Sequence, residues 1–189
     1  MNVNYERLRA AIDETIESLK SSAKTPERTR KAKLGVVANL ESEISTGEYS
    51  FRSDASIDAG GGARHPRPMD YLLGALLSCQ QMWCVRWAAL KGYQLAGLRL
   101  SADAKFTWRG EYLEEVDSGL TAIVARYQVD CADLTADRVL EMADTVARRC
   151  PVFATLRKAT AIEEEIVLNG TSVSHRVWQP GQSSALEVP

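Results

Sequence analysis

Two of the four cysteines sit in settings that bear on thiol chemistry. Cys79 closes the run Pro68-Met-Asp-Tyr-Leu-Leu-Gly-Ala-Leu-Leu-Ser-Cys79, and Cys150 lies in Arg148-Arg149-Cys150-Pro151-Val152. A thiol inside an apolar helix is ordinarily a small hydrophobe. A second thiol placed between arginines and a proline, at a helix junction, adds another option. There helix-terminal amides and the cations Arg148, Arg149 and Arg157 favour a thiolate. The two residues form a candidate redox pair, in which one sulfur attacks an electrophile and the other closes a disulfide. On the residues alone, the alternative of two inert packed thiols stays open.

Other chemistries find less support. Four cysteines and two histidines are enough for a metal site, but no Cys-x-x-Cys pair occurs. Cys79 and Cys84, five apart on one helix, diverge by about 140° around its axis. His65 falls in a Gly/Pro loop and His175 near the C-terminus. Gly60-Gly61-Gly62 lacks the lysine and apolar helix of a phosphate loop, and no Ser-His-Asp signature is present. No metal and no organic cofactor is expected.

The chain that must position these thiols has 189 residues, enough for one domain that buries roughly 70% of its unfolded surface. Its formal charge of -2 gives no electrostatic reason to expect nucleic acid. The basic cluster Arg28 to Lys33 is short, without interleaved aromatics, and reads as solvated linker. Charges follow Met1 where a secretory signal needs an apolar core, and Gln80, Gln81 and Arg86 interrupt the apolar stretch Tyr71 to Leu90. The expectation is a cytoplasmic protein with no membrane partner, whose disulfides would be transient.

Leu8, Ile12, Ile16 and Leu19 give the N-terminus one helical stripe, broken at Ser21 to Pro26, so residues 1–30 read as a helix and linker. Leu34 to Ile44 alternates as a strand. With Thr46-Gly47 as its turn, it predicts a hairpin with a second strand at Tyr49 to Ser53. The glycine loop 58–68 then leads, through Pro68, into a long helix that stops at Gly92. Two strands, Leu95 to Trp108 and Leu120 to Asp130, are joined by the acidic segment Glu111 to Asp117. A helix from Thr135 to Arg149, a short continuation after Pro151 and a last strand from Ala161 to Leu168 complete the domain 31–168. The tail 169–189 has little periodicity and reads as flexible. Strands in pairs around helices indicate an α+β protein with largely antiparallel sheet.

The first cysteine motif, with its proline, acidic residue and leucine-rich run, resembles the first signature of the OsmC/Ohr family of thiol peroxidases. Cys150-Pro151-Val152 with Thr155-Leu156-Arg157 resembles the second. The resemblance covers about Leu34 to Leu168. It implies that Cys79 attacks an organic hydroperoxide, forming a sulfenic acid, and that Cys150 resolves it as a disulfide, reduced in turn by a dithiol of lipoyl or thioredoxin type. It also implies an intertwined homodimer with two cysteine-bearing helices at its centre. Trp83, Trp87, Leu72, Leu73, Leu76, Leu77 and Leu90 suit this, since they leave the long helix apolar on more than one face.

One position departs from the pattern. Where such peroxidases place glutamate after the proline, this chain has Met69. Asp70 corresponds instead to a Pro-x-Glu variant, and Arg52 and Arg64 are the candidate arginines. The departure bears on rate. Lowering a thiol from pKa about 8.5 to about 6 raises its thiolate fraction at neutral pH roughly thirtyfold, while a Brønsted slope near 0.45 removes roughly thirteenfold in nucleophilicity. Groups that orient peroxide and stabilise the departing alkoxide must supply the rest. The second expectation is therefore an OsmC-fold dimer without efficient peroxidase activity, binding an apolar small molecule or serving as an interaction protein.

Overall fold

The structure, a computed structural model, describes residues 1–22, 27–158, 162–168 and 171–178. In chain order these form α1 (Tyr5–Ser21), β1 (Lys33–Ala38), β2 (Glu41–Thr46), β3 (Tyr49–Ser53), α2 (Pro68–Lys91), β4 (Gly97–Lys105), α3 (Trp108–Leu113), β5 (Ala122–Asp130), α4 (Ala136–Arg149), α5 (Pro151–Lys158), β6 (Ile162–Leu168) and β7 (Thr171–Trp178). The expected break at Ser21 to Pro26 falls partly outside the described residues, as does the tail beyond Trp178. Among the described residues, no helix is long and apolar enough to cross a membrane.

α2 is the spine. Pro68 occupies its first turn, where a missing N–H costs nothing, and Gly92 at φ 80 ends it in the left-handed region. α2 packs against α1, α4, α5 and β4. The core gathers Cys79, Cys84, Trp87 and Ala88 from α2, Met142 and Val146 from α4, Leu95 from the turn before β4, and Cys150. At the C-terminal end of α2, α1 is tied down by polar contacts: Tyr5 Oη accepts from the Leu95 N–H at 2.9 Å, and Arg9 donates to the Leu90 carbonyl at 2.8 Å.

The strands make three small antiparallel sheets rather than one: β1-β2-β3, β4-β5 and β6-β7. Two differences from the sequence expectation have local causes. The alternation from Leu34 to Ile44 is not a single strand, because Asn39 adopts φ 50 and turns the chain, so that Ala38 faces Glu41 across a two-residue loop. The strand expected to reach Trp108 ends at Lys105, and Trp108 with the start of the expected connection forms the helix α3, where Thr107 Oγ1 accepts from the Arg109 N–H. In addition, residues 171–178, which show little periodicity, form β7 alongside β6.

The first sheet has no core beneath it. Leu34, Ile44 and Phe51 lie in one cross-strand row, yet Leu34 is 63% and the neighbouring Val36 75% exposed. It touches α2 through Tyr71, whose ring lies 4.8 Å from that of Phe51 and whose hydroxyl donates to the Arg52 carbonyl. Between this sheet and α2, the Asp54 carboxylate folds the glycine loop around itself by accepting N–H bonds from Ala55, Gly62 and Arg64. The Arg64 amide foremost holds its pKa below the usual value. The loop needs glycine at 61, where a Cβ would stand 2.2 Å from the Ala55 carbonyl oxygen.

Candidate active site

Helical geometry brings the two cysteines together. Cys79 lies midway along α2 and is 8% exposed, while Cys150 is fully buried at the α4–α5 junction. The Cys150 N–H bonds to the Val146 carbonyl as α4 ends. Pro151 then begins α5, whose Phe153 N–H points at the Cys150 sulfur from 3.4 Å. The thiol thus occupies the capping position of α5, and its side chain interacts with that of Cys79.

The protonation differs from what the arginine-rich motif predicts. Burial, and then the interaction with Cys79, push the Cys150 thiol up, outweighing the helix amides of Phe153 and Val152 that pull it down. Cys150 therefore stays protonated at neutral pH. Desolvation wins because Arg149 turns away toward the Trp83 ring, 5.5 Å from its centroid, where Arg86 also approaches to 5.1 Å. Cys84 joins the same core and is pushed up to about 12, by burial first and also by charge on Cys150. Cys131 packs against the edge of this core, its thiol 3.5 Å from the Gln94 carbonyl.

The remaining residues singled out by the sequence do not join this pair. Asp70 Oδ2 accepts from the Arg67 N–H at 2.9 Å and caps the first turn of α2. It is nine residues before Cys79, about 13 Å along the axis. Arg52 and Arg64 instead converge on Glu41, at 3.0 Å and 3.5 Å, and His65 Nε2 lies 3.4 Å from the same carboxylate. Glu41 is 5% exposed, which nothing in the sequence signals.

Met69 points elsewhere too. With Leu72, Leu76 and Gln80 it forms one wall of an open cavity of about 990 Å³, whose other walls come from β5, the residues before it and α5, Thr155 and Arg157 among them. Tyr127 of β5 lines this cavity, and its phenol is pushed up to about 12, by burial first and then by charge on Cys84 and Cys150. The cavity thus abuts the thiol cluster.

A family model described as OsmC-like protein matches residues 60–165, a span that contains both cysteines and the helices that hold them. The chain belongs to the OsmC-like protein family. Solved structures agree on the fold. An OsmC-like protein from Mycoplasma pneumoniae is 16% identical, with TM-score 0.61, over 71% of this chain and 91% of the other. An organic hydroperoxide resistance protein OsmC from Legionella pneumophila is 12% identical, with TM-score 0.53, over 70% and 92%. An organic hydroperoxide resistance protein from Elizabethkingia anophelis is 11% identical, with TM-score 0.52, over 70% and 91%. No curated protein matches. α1 lies outside the span of the family model, as do β1 to β3.

Proposed function

We propose that this OsmC-like protein reduces organic hydroperoxides, with Cys79 as nucleophile and Cys150 as resolving thiol. The observation that carries the reading is the meeting of these two side chains inside the core, from elements far apart in sequence. The Cys79 thiolate attacks the terminal oxygen of R–O–O–H and becomes a sulfenic acid, and the alkoxide leaves and takes a proton as R–OH. Cys150 then attacks the sulfenic sulfur, water departs with the Cys150 proton, and a disulfide remains. A dithiol of lipoyl or thioredoxin type supplies the two electrons that restore both thiols. No metal or organic cofactor enters the cycle. The reading carries with it a cytoplasmic location, where thiols are kept reduced.

The working form is a homodimer. Support comes from the bare apolar face of β1-β2-β3 and from the near-uniform apolar character of α2, each of which calls for further cover. The position of Met69 in an apolar wall, with no carboxylate in its place, favours the second reading, an OsmC-fold dimer that binds an apolar small molecule without efficient turnover. Treating the reduced protein with cumene hydroperoxide separates the two. Stoichiometric loss of peroxide with loss of two thiols per chain supports the peroxidase, and unchanged thiols with retained ligand support the binding protein.

A further inference from the structure

Arg86 of α2 and Arg149 of α4 converge on one indole, their guanidinium carbons 5.1 Å and 5.5 Å from the centroid of the Trp83 ring. Two like charges thus share one ring, at a separation that salt does not fully screen. Among the described residues no carboxylate pairs with either of them, and neither guanidinium donates a hydrogen bond. Arg149 stands in the last turn of α4, where the helix dipole favours a cation, but Arg86 lies more than a turn before the end of α2. A guanidinium held over an aromatic ring keeps its in-plane N–H groups for a carboxylate.

This cluster adjoins the thiols. Cys79, Trp83 and Arg86 follow at i, i+4 and i+7 on one face of α2, and Arg149 directly precedes Cys150. Along the helix axis Cys79 stands between the apolar residues Met69, Leu72 and Leu76 on one side and Trp83 with its two cations on the other. The proposed cycle has one reactant still without a place, the dithiol that reduces the Cys79–Cys150 disulfide. Cys150 is fully buried and Cys79 is 8% exposed, so a slender dithiol suits this bond better than a sulfur fixed on a protein surface.

We infer that Arg86 and Arg149 bind the carboxylate of a small dithiol reductant, so that the preferred reductant is an anionic one; this identification rests on the peroxidase reading. Arg86 is seven residues from Cys79, about 10 Å along the axis, which an extended chain of about eight bonds spans. Dihydrolipoate separates its carboxyl carbon and terminal sulfur by such a chain. With the carboxylate on the cations, a thiolate of the reductant attacks the Cys79 sulfur and the Cys79–Cys150 bond breaks. The departing Cys150 sulfur faces the Phe153 N–H and takes up a proton. The second thiol of the reductant then attacks the reductant's own sulfur in the mixed disulfide, closes a cyclic disulfide and releases Cys79. Two electrons pass to the protein, and the two S–H protons of the reductant end on Cys150 and Cys79.

Turnover of cumene hydroperoxide by the full-length protein with dihydrolipoate or with dihydrolipoamide tests this, since the two are one dithiol with and without the charge. The acid is expected to exceed the amide about tenfold in kcat/KM, and the ratio should fall to within about twofold in the double variant Arg86→Gln with Arg149→Gln. Raising the salt from about 50 mM to about 500 mM should erase most of the preference in wild type, which needs no substitution. Equal kcat/KM for the two in wild type overturns the inference, as does a preference that survives the double substitution or the salt. Turnover with reduced thioredoxin and with neither small dithiol also overturns it, and gives the step to a protein. Calorimetric binding of lipoate and lipoamide to Cys79→Ser, which involves no turnover, keeps the two ideas apart. A preference for the acid that is lost with the arginines, in a protein whose wild type consumes no peroxide, sustains the site and sinks the peroxidase. Peroxide turnover with no preference for the acid in either measurement does the reverse.

Discussion

The side chains of Cys79 and Cys150, 71 residues apart in sequence, meet in the core, where burial raises the pKa of the Cys150 thiol. Phe153 closes on the Cys150 sulfur through its N–H. In the proposed cycle, a thiol that is protonated at rest and capped by a helix suits the resolving step.

One equivalent of cumene hydroperoxide is therefore expected to yield a Cys79–Cys150 disulfide and to leave Cys84 and Cys131 reduced. Cys79→Ser should consume no peroxide. Cys150→Ser should leave a sulfenic acid on Cys79 that dimedone traps and that over-oxidises readily, since the resolving thiol is gone. Peptide mapping that finds the oxidation on Cys84 or Cys131 would reject the assignment.

Asp70 caps α2 and lies about two and a half turns from Cys79. Asp70→Asn is expected to cost about 0.3–1 kcal/mol of stability, the scale of a carboxylate at a helix N-terminus, and to leave the oxidation rate of Cys79 within about twofold. Thermal melts and stopped-flow oxidation read the two separately. A tenfold slower oxidation with an unchanged melt would make Asp70 part of the chemistry.

The sequence discloses what is local and periodic. Pro68 and Gly92 mark the ends of α2, the alternation within Leu95 to Trp108 and Leu120 to Asp130 marks a strand pair, and the two cysteine motifs, through their family resemblance, point to Cys79 and Cys150. What it conceals depends on a single dihedral or on long-range convergence. Asn39 turns a chain whose side-chain alternation continues past it, so periodicity alone cannot separate β1 from β2. Arg52, Arg64 and His65 meet Glu41 only through the register of the first sheet and the closure of the Asp54 loop. Arg86 reads as an interruption in an apolar helix, and its meeting with Arg149 at Trp83 is evident only when α4 packs beside α2.

The exposed face of β1-β2-β3 gives an assembly test. Light scattering at micromolar concentration should read twice the 20.8 kDa of one chain. Leu34→Glu with Val36→Glu should weaken the association at least tenfold, because it places two carboxylates on the face to be buried. A monomer across the concentration range would remove the dimer from the proposed function, and a dimer indifferent to the double substitution would move the interface away from this sheet.

Cys84 gives a test in alkaline solution. Its thiol is pushed from about 9 to about 12 by burial, so the folded protein keeps a proton that the unfolded chain releases. The sign follows directly. Stability from this group is complete below pH 9 and is lost progressively between pH 9 and 12, at up to about 1.4 kcal/mol per pH unit. Cys150 and Tyr127, also raised, act in the same direction. Urea midpoints measured under reductant from pH 8 to 10.5 should fall steeply in wild type. In Cys84→Ala the unfolding free energy should fall less steeply, by about 1 kcal/mol per pH unit above pH 9, because one of these protons is gone. Parallel curves for the two proteins would mean that Cys84 is not held as a buried neutral thiol, and would take with it the charge coupling drawn among Cys84, Cys150 and Tyr127.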